Sequence, residues 1–297
     1  MRANTLKKTM NLIDISSWQS GIDLKTVFAQ NDLDGVIVKA TQGIGYVNPE
    51  YFSWASWLSD NGKPFGVYHY CEGCDPEDEA KHFYNAVKNY IGKAIPVADY
   101  EGDVLNKGQS WLKKFLEKFY KLSGVKCMIY CSLSVVSSLT ELTDYPLWIA
   151  QYADMNPVYG FLDKPWQKGS VEPFSKYWMH QYTSSGWLDG YNSGALDLDK
   201  FYGTVEDWNA LAGGSSVEPV PEPTTLKGPD PVVIGKVLDG KYGTGTERSA
   251  KLKADGYDSN KVQDKINELY AIALSCKKYI NGNEEYLNPL IKIVRVL

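Results

Sequence analysis

At 297 residues, 43% hydrophobic and 23% charged, the chain is long enough for one large domain and a small appendage. Its net charge of −5 argues against a general nucleic-acid binder, which needs a basic surface to neutralise phosphates, and more weakly against binding anionic membranes. No segment approaches about 18 uninterrupted apolar residues, so no membrane insertion is expected. The first ten residues carry Arg2, Lys7 and Lys8, but Leu12-Ile13-Asp14-Ile15 meets a charge at once, so no signal peptide is visible. An odd number of cysteines, five, without such a leader points to synthesis in a reducing cytoplasm. Cys71-Glu72-Gly73-Cys74 has redox or zinc spacing, yet Cys127 and Cys131 are spaced differently and only three histidines are present. Free thiols are expected, with no metal and no cofactor.

Eight short apolar runs, each bounded by Gly, Pro, Ser or charge, read as strands. They are Leu12–Ser16, Gly35–Thr41, Pro64–Tyr70, Ile95–Glu101, Lys126–Cys131, Pro146–Tyr152, Tyr177–Thr183 and Ala195–Phe201. Amphipathic helical patterns lie between the early ones, at Asp23–Gln30, Pro49–Asn61, Asp75–Tyr90 and Lys107–Leu122. Alternating strands and helices imply a parallel sheet, and eight strands suggest closure into a barrel. The later connections differ. Ala153–Lys176 is rich in Pro, Gly and Asp, and Ser184–Gly194 is too short and Gly-rich for a helix. The expected fold is therefore α/β, an irregular TIM-like barrel with eight strands, its last third short of helices.

Within the fourth run, Asp99-Tyr100-Glu101 places two acids at i and i+2, on one strand face with Cα atoms roughly 6.5–7 Å apart. Such a pair repels, which raises one pKa and leaves a protonated acid beside an ionised one. That is the equipment for glycosidic bond cleavage. Barrel sites form at the C-terminal strand ends, where Asp14 closes the first run and Asp197 and Asp199 the eighth. First and last strands are neighbours in a closed barrel, so Asp14 and Asp197 could meet. Four carboxylates on one rim are hard to justify as structure alone. His69 and His180 lie inside strands and read as hydrogen-bonded structural residues.

Beyond Trp208, Gly213-Gly214-Ser215-Ser216 and a Pro-rich stretch to Pro231 read as a flexible, then extended, tether. The boundaries so drawn are a barrel over 1–212, a linker over 213–231 and a small domain over 232–297, mainly helical.

The first part of the chain resembles glycoside hydrolase family 25, the lysozyme-like muramidases of phage lysins. The likeness rests on Ile13-Asp14-Ile15-Ser16-Ser17-Trp18-Gln19, Val38-Lys39-Ala40-Thr41-Gln42-Gly43, Gly66-Val67-Tyr68-His69-Tyr70 and Asp99-Tyr100-Glu101. It continues in Tyr130-Cys131-Ser132, Leu147-Trp148-Ile149-Ala150-Gln151-Tyr152, Trp178-Met179-His180-Gln181-Tyr182 and Leu196-Asp197-Leu198-Asp199-Lys200-Phe201. The resemblance implies an irregular TIM-like (β/α) barrel with about five helices and hydrolysis of the β-1,4 bond after N-acetylmuramic acid in peptidoglycan. Glu101 is then the general acid and later base, Asp99 the carboxylate beside it, and Asp14 and Asp197 the other acids. Asp199 also fits the rim, although the motif aligns best with Asp197. Tyr68, Tyr130, Trp148, Tyr152 and Gln181 are candidates for lining the glycan cleft. Carboxyl separations of about 5–5.5 Å go with retention and about 6.5–9.5 Å with inversion, and backbone spacing leaves both open. The resemblance implies retention, with the acetamido group of the substrate as nucleophile, and Asp99 is the residue expected to orient it.

The tail resembles a cell-wall-binding repeat of phage lysins through Val237-Leu238-Asp239-Gly240-Lys241-Tyr242-Gly243-Thr244-Gly245-Thr246-Glu247-Arg248, Gly256-Tyr257-Asp258 and Val262-Gln263. Tyr242 and Arg248 are its expected wall-binding residues. Residues 275–297 could form a degenerate second repeat, and the strip from Pro289 to Leu297 could pack on the repeat or on a second subunit. The combined expectation is a phage endolysin, made in the host cytoplasm and admitted to the wall by a separate pore protein. A bacterial autolysin and a non-catalytic, lectin-like wall binder are the alternatives. An amidase or peptidase would usually need a zinc site or a Cys/His pair, which cannot be assembled here.

Overall fold

The computed structural model describes residues 9–213, 227–243, 245–267 and 269. The N-terminal segment 1–8, most of the expected tether (214–226) and the expected second repeat at 275–297 lie outside them. The chain divides into two compact units, Met1–Val217 and Glu218–Leu297.

The described residues of unit one form ten strands: β1 (Met10–Ile15), β2 (Gly35–Gln42), β3 (Tyr46–Val47), β4 (Phe65–Tyr70), β5 (Ala94–Asp99), β6 (Met128–Ser132), β7 (Leu147–Ala150), β8 (Val158–Tyr159), β9 (Met179–Trp187) and β10 (Leu196–Phe201). Its helices are α1 (Leu24–Gln30), α2 (Tyr51–Asp60), α3 (Pro76–Val87), α4 (Gln109–Ser123) and α5 (Val205–Leu211). The sheet runs β1-β10-β9-β7-β6-β5-β4-β2, and β1 pairs with β2 to close it. The eight expected strands form this barrel; β3 and β8 are two-residue additions on β2 and β9. Between β7 and β10 no α-helix intervenes among the described residues. No described helix is long and apolar enough to cross a membrane.

One expectation fails. The sheet is mixed, because β10 runs antiparallel to both β1 and β9. The physical reason is the β9–β10 connection, which is too short for a crossover helix and so returns as a hairpin. Asp14 therefore pairs with Asp197 at the upper rim, near the start of β10. Asp199, opposite Leu12 and Gln181, lies one pleat deeper and fully buried rather than on the rim.

Local sequence explains the helices. Asp75 caps α3 by accepting from Glu77 and Asp78 N–H, with Pro76 in the first turn. Gly124, at φ 73°, ends α4 in the left-handed conformation and returns its N–H to Tyr120 O at 2.8 Å. Trp111, Leu112, Phe115, Leu116 and Phe119 form the buried stripe of α4, whereas Tyr120 is exposed. Strand alternation then makes two apolar layers. Ile13, Ile15, Val36, Val38, Leu196 and Leu198 point outward to the helices. Leu12, Ile37, Ile95, Val97, Met128, Met179 and Phe201 fill the barrel, closed below by Trp208 and Ala212.

Unit two contains α6 (Pro231–Leu238), α7 (Gly245–Ala254) and helical residues 259–267. Asp230 caps α6, accepting from Val233 N–H at 2.8 Å. Val233, Ile234, Val237, Tyr242, Leu252, Val262 and Ile266 make its small core.

Candidate active site

The inward faces of the strands change character with height. Above Leu12 stands Asp14, above Ile37 stands Lys39, and above Ile95 and Val97 stands Asp99. A chain that alternates with period two thus carries an apolar plug below and an acidic floor above. The floor opens into a cavity of about 300 Å³. Asp14, Asp99, Glu101 and Asp197 line it together with Tyr68, Tyr130, Trp148, Tyr152 and Gln181. All nine barrel positions singled out in the sequence are therefore brought together. A second hollow adjoins it, sharing Glu101, Tyr130 and Tyr152 and extending to Ser132, Leu133, Ser134 and Ser170. The two form one groove across the barrel mouth.

Gln181 on β9 is the hub of the floor. Its Nε2 donates to Asp14 Oδ2 at 2.6 Å, and its Oε1 accepts from Tyr130 OH at 2.9 Å and Tyr152 OH at 2.5 Å. Asp99 is only 7% exposed, and its Oδ1 has no hydrogen-bond partner among the described residues. Glu101 continues the extended chain and is partly open to the groove.

Burial and mutual repulsion set the protonation of these acids. Asp14 is held well above the usual aspartate range, first by burial and then by Asp197. Burial also raises Asp99 strongly, with Glu101 and Asp14 adding to it. Asp197 is pushed up to about 6 by burial and by Glu101. Glu101 is raised by burial and pulled back by Lys39. Lys39 is itself lowered by burial, against the pull of Asp99, Glu72 and Glu101. Its Nζ donates to Gln42 Oε1 at 2.5 Å and lies 4.8 Å from the Tyr70 ring centre.

Sequence reading passed over Lys39, Tyr70 and Trp18 as site residues, and all three line the cavity. A signal for Lys39 was available: a lysine at an inward position between Ile37 and Thr41 needs an acidic partner. Tyr70 sits two residues after Tyr68, on the same face. Trp18, 89% exposed on the turn after β1, is the most exposed large apolar side chain described.

His69 and His180 are hydrogen-bonded within the fold. His180 Nε2 meets Gln151 O at 2.7 Å. His69 bridges Thr41 Oγ1 at 2.8 Å and Glu79 Oε2 at 2.9 Å. Cys71 lies close to His69 and Glu79, but Glu79 is occupied by the histidine and by the N–H groups of Glu72 and Cys74. The trio is better suited to clamping the loop after β4 than to holding a cation. The four described cysteines are free. In unit two, the Tyr242 ring is buried and its hydroxyl bonds Asp255 Oδ2 at 2.7 Å. Arg248 bonds Gly243 O at 3.0 Å and Gln263 Oε1 at 2.9 Å, which locks the glycine turn onto the helices.

Comparison with known proteins follows the same division. The model of glycosyl hydrolases family 25 matches residues 13–191, more than half of the chain. The chain belongs to this family. A CW_7 repeat matches residues 232–270. The family 25 chain is 28% identical to an autolytic lysozyme of Clostridium acetobutylicum over 213 residues. That match covers 70% of the chain and 59% of the clostridial protein, so the chain spans well under two thirds of it. It is 24% identical to the lysozyme of Streptococcus phage Cp-7, over 89% of the chain and 71% of the phage protein. A family 25 glycosyl hydrolase structure from Bacillus anthracis superposes with a TM-score of 0.57 at 22% identity, covering 71% of the chain and 96% of that structure. This last likeness is one of fold.

Proposed function

We propose that the protein is a muramidase that hydrolyses the β-1,4 bond between N-acetylmuramic acid and N-acetylglucosamine in peptidoglycan. One observation carries the reading: Asp14, Asp99, Glu101 and Asp197 converge on an open groove where burial raises the pKa of every one. Asp99 and Glu101 behave as a pair that holds a proton between them. In the empty groove burial favours the proton on the deeper Asp99. A bound acetamido N–H, donated to Asp99, stabilises its ionised form, and the sugar covering Glu101 moves the proton there. Glu101 then protonates the leaving oxygen while the acetamido oxygen attacks the anomeric carbon. In the second half Glu101 takes a proton from water, which opens the cyclic intermediate with net retention. Asp14 and Asp197 add negative charge beneath the developing oxocarbenium.

The domain plan is a catalytic barrel over 1–212, a tether over 213–231 and a wall-binding domain over 232–297, which raises the local substrate concentration at the barrel. The setting is a phage endolysin, made in the host cytoplasm and reaching the wall through a separate pore protein. The likeness to the Cp-7 lysozyme, which runs through both units, favours this over an autolysin. A lectin-like binder has no use for four carboxyls gathered on one groove where burial raises their pKa. Turbidity of a bacterial wall suspension tests the reading: it falls with the wild type and holds steady with Glu101→Gln.

A further inference from the structure

Asp199 is the acid that the proposed reaction leaves without a role. It is 0% exposed, sits beneath Asp197 on β10 and pairs across the sheet with Leu12 and Gln181. Its Oδ1 accepts from Trp148 Nε1 at 3.1 Å, while its Oδ2 has no donor among the described residues. In the β1–β10 register Asp14 pairs with Asp197 and Leu12 with Asp199, so Asp14 and Asp199 are diagonal neighbours on the inward face. Gln181, which pairs with Asp199, bonds Asp14, and the Asp14 carboxyl acts on that of Asp199. The other titratable groups that face it are Asp197 on its own strand and the hydroxyls of Tyr152, after β7, and Tyr182, on β9. None of these is a cation. Lys200 turns the other way, to Asn11 Oδ1.

We infer that Asp199 is a positioning residue that stays a neutral carboxylic acid and donates its proton to Asp14. Two ionised carboxylates on diagonal neighbours, both buried and with no cation between them, repel too strongly to coexist, so one proton remains between them. Asp14 has a second donor, Gln181 Nε2 at 2.6 Å, and borders the groove; Asp199 has one donor and no solvent. Those inequalities put the negative charge on Asp14 and the proton on Asp199. Burial raises the Asp199 pKa well above the ordinary range, in the same sense. Asp14 is thereby gripped from two sides, by an amide N–H from β9 and an acid O–H from β10, and cannot rotate away from the floor of the groove. Trp148 fixes the donor in turn. The result is a relay, Trp148 to Asp199 to Asp14, that aims a charge at the site from a residue that never touches substrate.

The inference builds on the muramidase reading, so its test must stand without activity. Between the ordinary aspartate pKa and the raised folded value, the folded state keeps a proton that the unfolded chain has lost. Unfolding therefore becomes easier as pH rises through that window, by up to tenfold in the equilibrium constant per pH unit. All nine tryptophans precede residue 209, so tryptophan fluorescence of the full chain reports the barrel alone. Urea unfolding at pH 5, 6 and 7 should show the wild type losing stability more steeply than Asp199→Asn. The infrared difference spectrum between the two at pH 7 should contain one protonated carboxyl band. Asp199→Asn, whose amide can still donate to Asp14, should recover the hydrolysis that Asp199→Leu loses by tenfold or more in kcat at unchanged KM. Parallel stability curves and no carboxyl band overturn the inference, whether or not the leucine variant folds. A wild type that hydrolyses no wall overturns the muramidase reading instead, and the unfolding and infrared results still decide the state of Asp199.

Discussion

Replacing Glu79 with glutamine exposes what holds the loop behind the site. Glu79 is fully buried on α3, and its carboxylate accepts three hydrogen bonds. Oε2 takes His69 Nε2 at 2.9 Å and Glu72 N–H at 3.1 Å; Oε1 takes Cys74 N–H at 2.6 Å. In Glu79→Gln the amide oxygen can serve one of these sides, and the NH2 group must face a donor on the other. One buried N–H then goes unpaired, at about 1–3 kcal/mol, and the surviving bonds lose their charge assistance. The sum is a destabilisation of about 2–4 kcal/mol, or roughly 4–16 °C in Tm for a domain of this size. The sign with pH is defined as well. The Glu79 pKa is lowered: burial works to raise it, and the His69 hydrogen bond leads the contacts that outweigh burial. Its contribution is therefore present above the ordinary glutamate pKa near 4.3 and fades as pH falls through the lower folded value, whereas the glutamine variant lacks that slope. Urea unfolding followed by tryptophan fluorescence at pH 3 to 7 measures both. A loss below about 0.5 kcal/mol at pH 7 would refute the clamp, since it would mean that the three donors find other partners.

Two further outcomes follow from the groove. Asp197, pushed up to about 6, holds a proton between pH 4 and 6 that the unfolded chain releases; Asp197→Asn should therefore gain stability over the wild type across that interval, by up to about 2–3 kcal/mol, and no more above it. Denaturant curves at each pH check this, and a difference that keeps growing above pH 7 would contradict it. Trp18→Ala removes an 89% exposed ring from the rim and should change stability by less than about 0.5 kcal/mol, since it fills no core. Loss of its face to the glycan should raise KM for solubilised wall about 3–10-fold at unchanged kcat, equivalent to about 0.7–1.4 kcal/mol of binding; an unaltered KM would remove Trp18 from the binding groove.

The strands and most of the acidic floor were legible because burial in a barrel writes itself into period-two alternation. Ile95, Val97 and Asp99 announce both the inner face and its polar end. Direction is not written that way: Leu196-Asp197-Leu198-Asp199 alternates identically whichever way the strand runs. For that reason β10 reads as parallel in sequence, and Asp199 reads as a rim residue although the hairpin return sinks it below Asp197. The amphipathic patterns at Asp23–Gln30 and Asp75–Tyr90 begin on the aspartates that cap α1 and α3. The three-donor grip on Glu79 was not, because it joins β4, the following loop and α3 through contacts that no local pattern encodes. In unit two the motif marks Tyr242 and Arg248, but sequence alone does not reveal that both are tied into the repeat's own core and turn.

The most direct test of the central claim is the chemistry of the new ends. Purified peptidoglycan digested by the wild type should yield fragments with reducing N-acetylmuramic acid termini, first formed in the β configuration, as mass spectrometry and early-time NMR would record. Glu101→Gln should form them about 10²–10⁴-fold more slowly, the span that a general acid contributes. Cleavage at the stem-peptide amide, or the same muramic acid ends appearing at wild-type rate without the Glu101 carboxyl, would contradict the account.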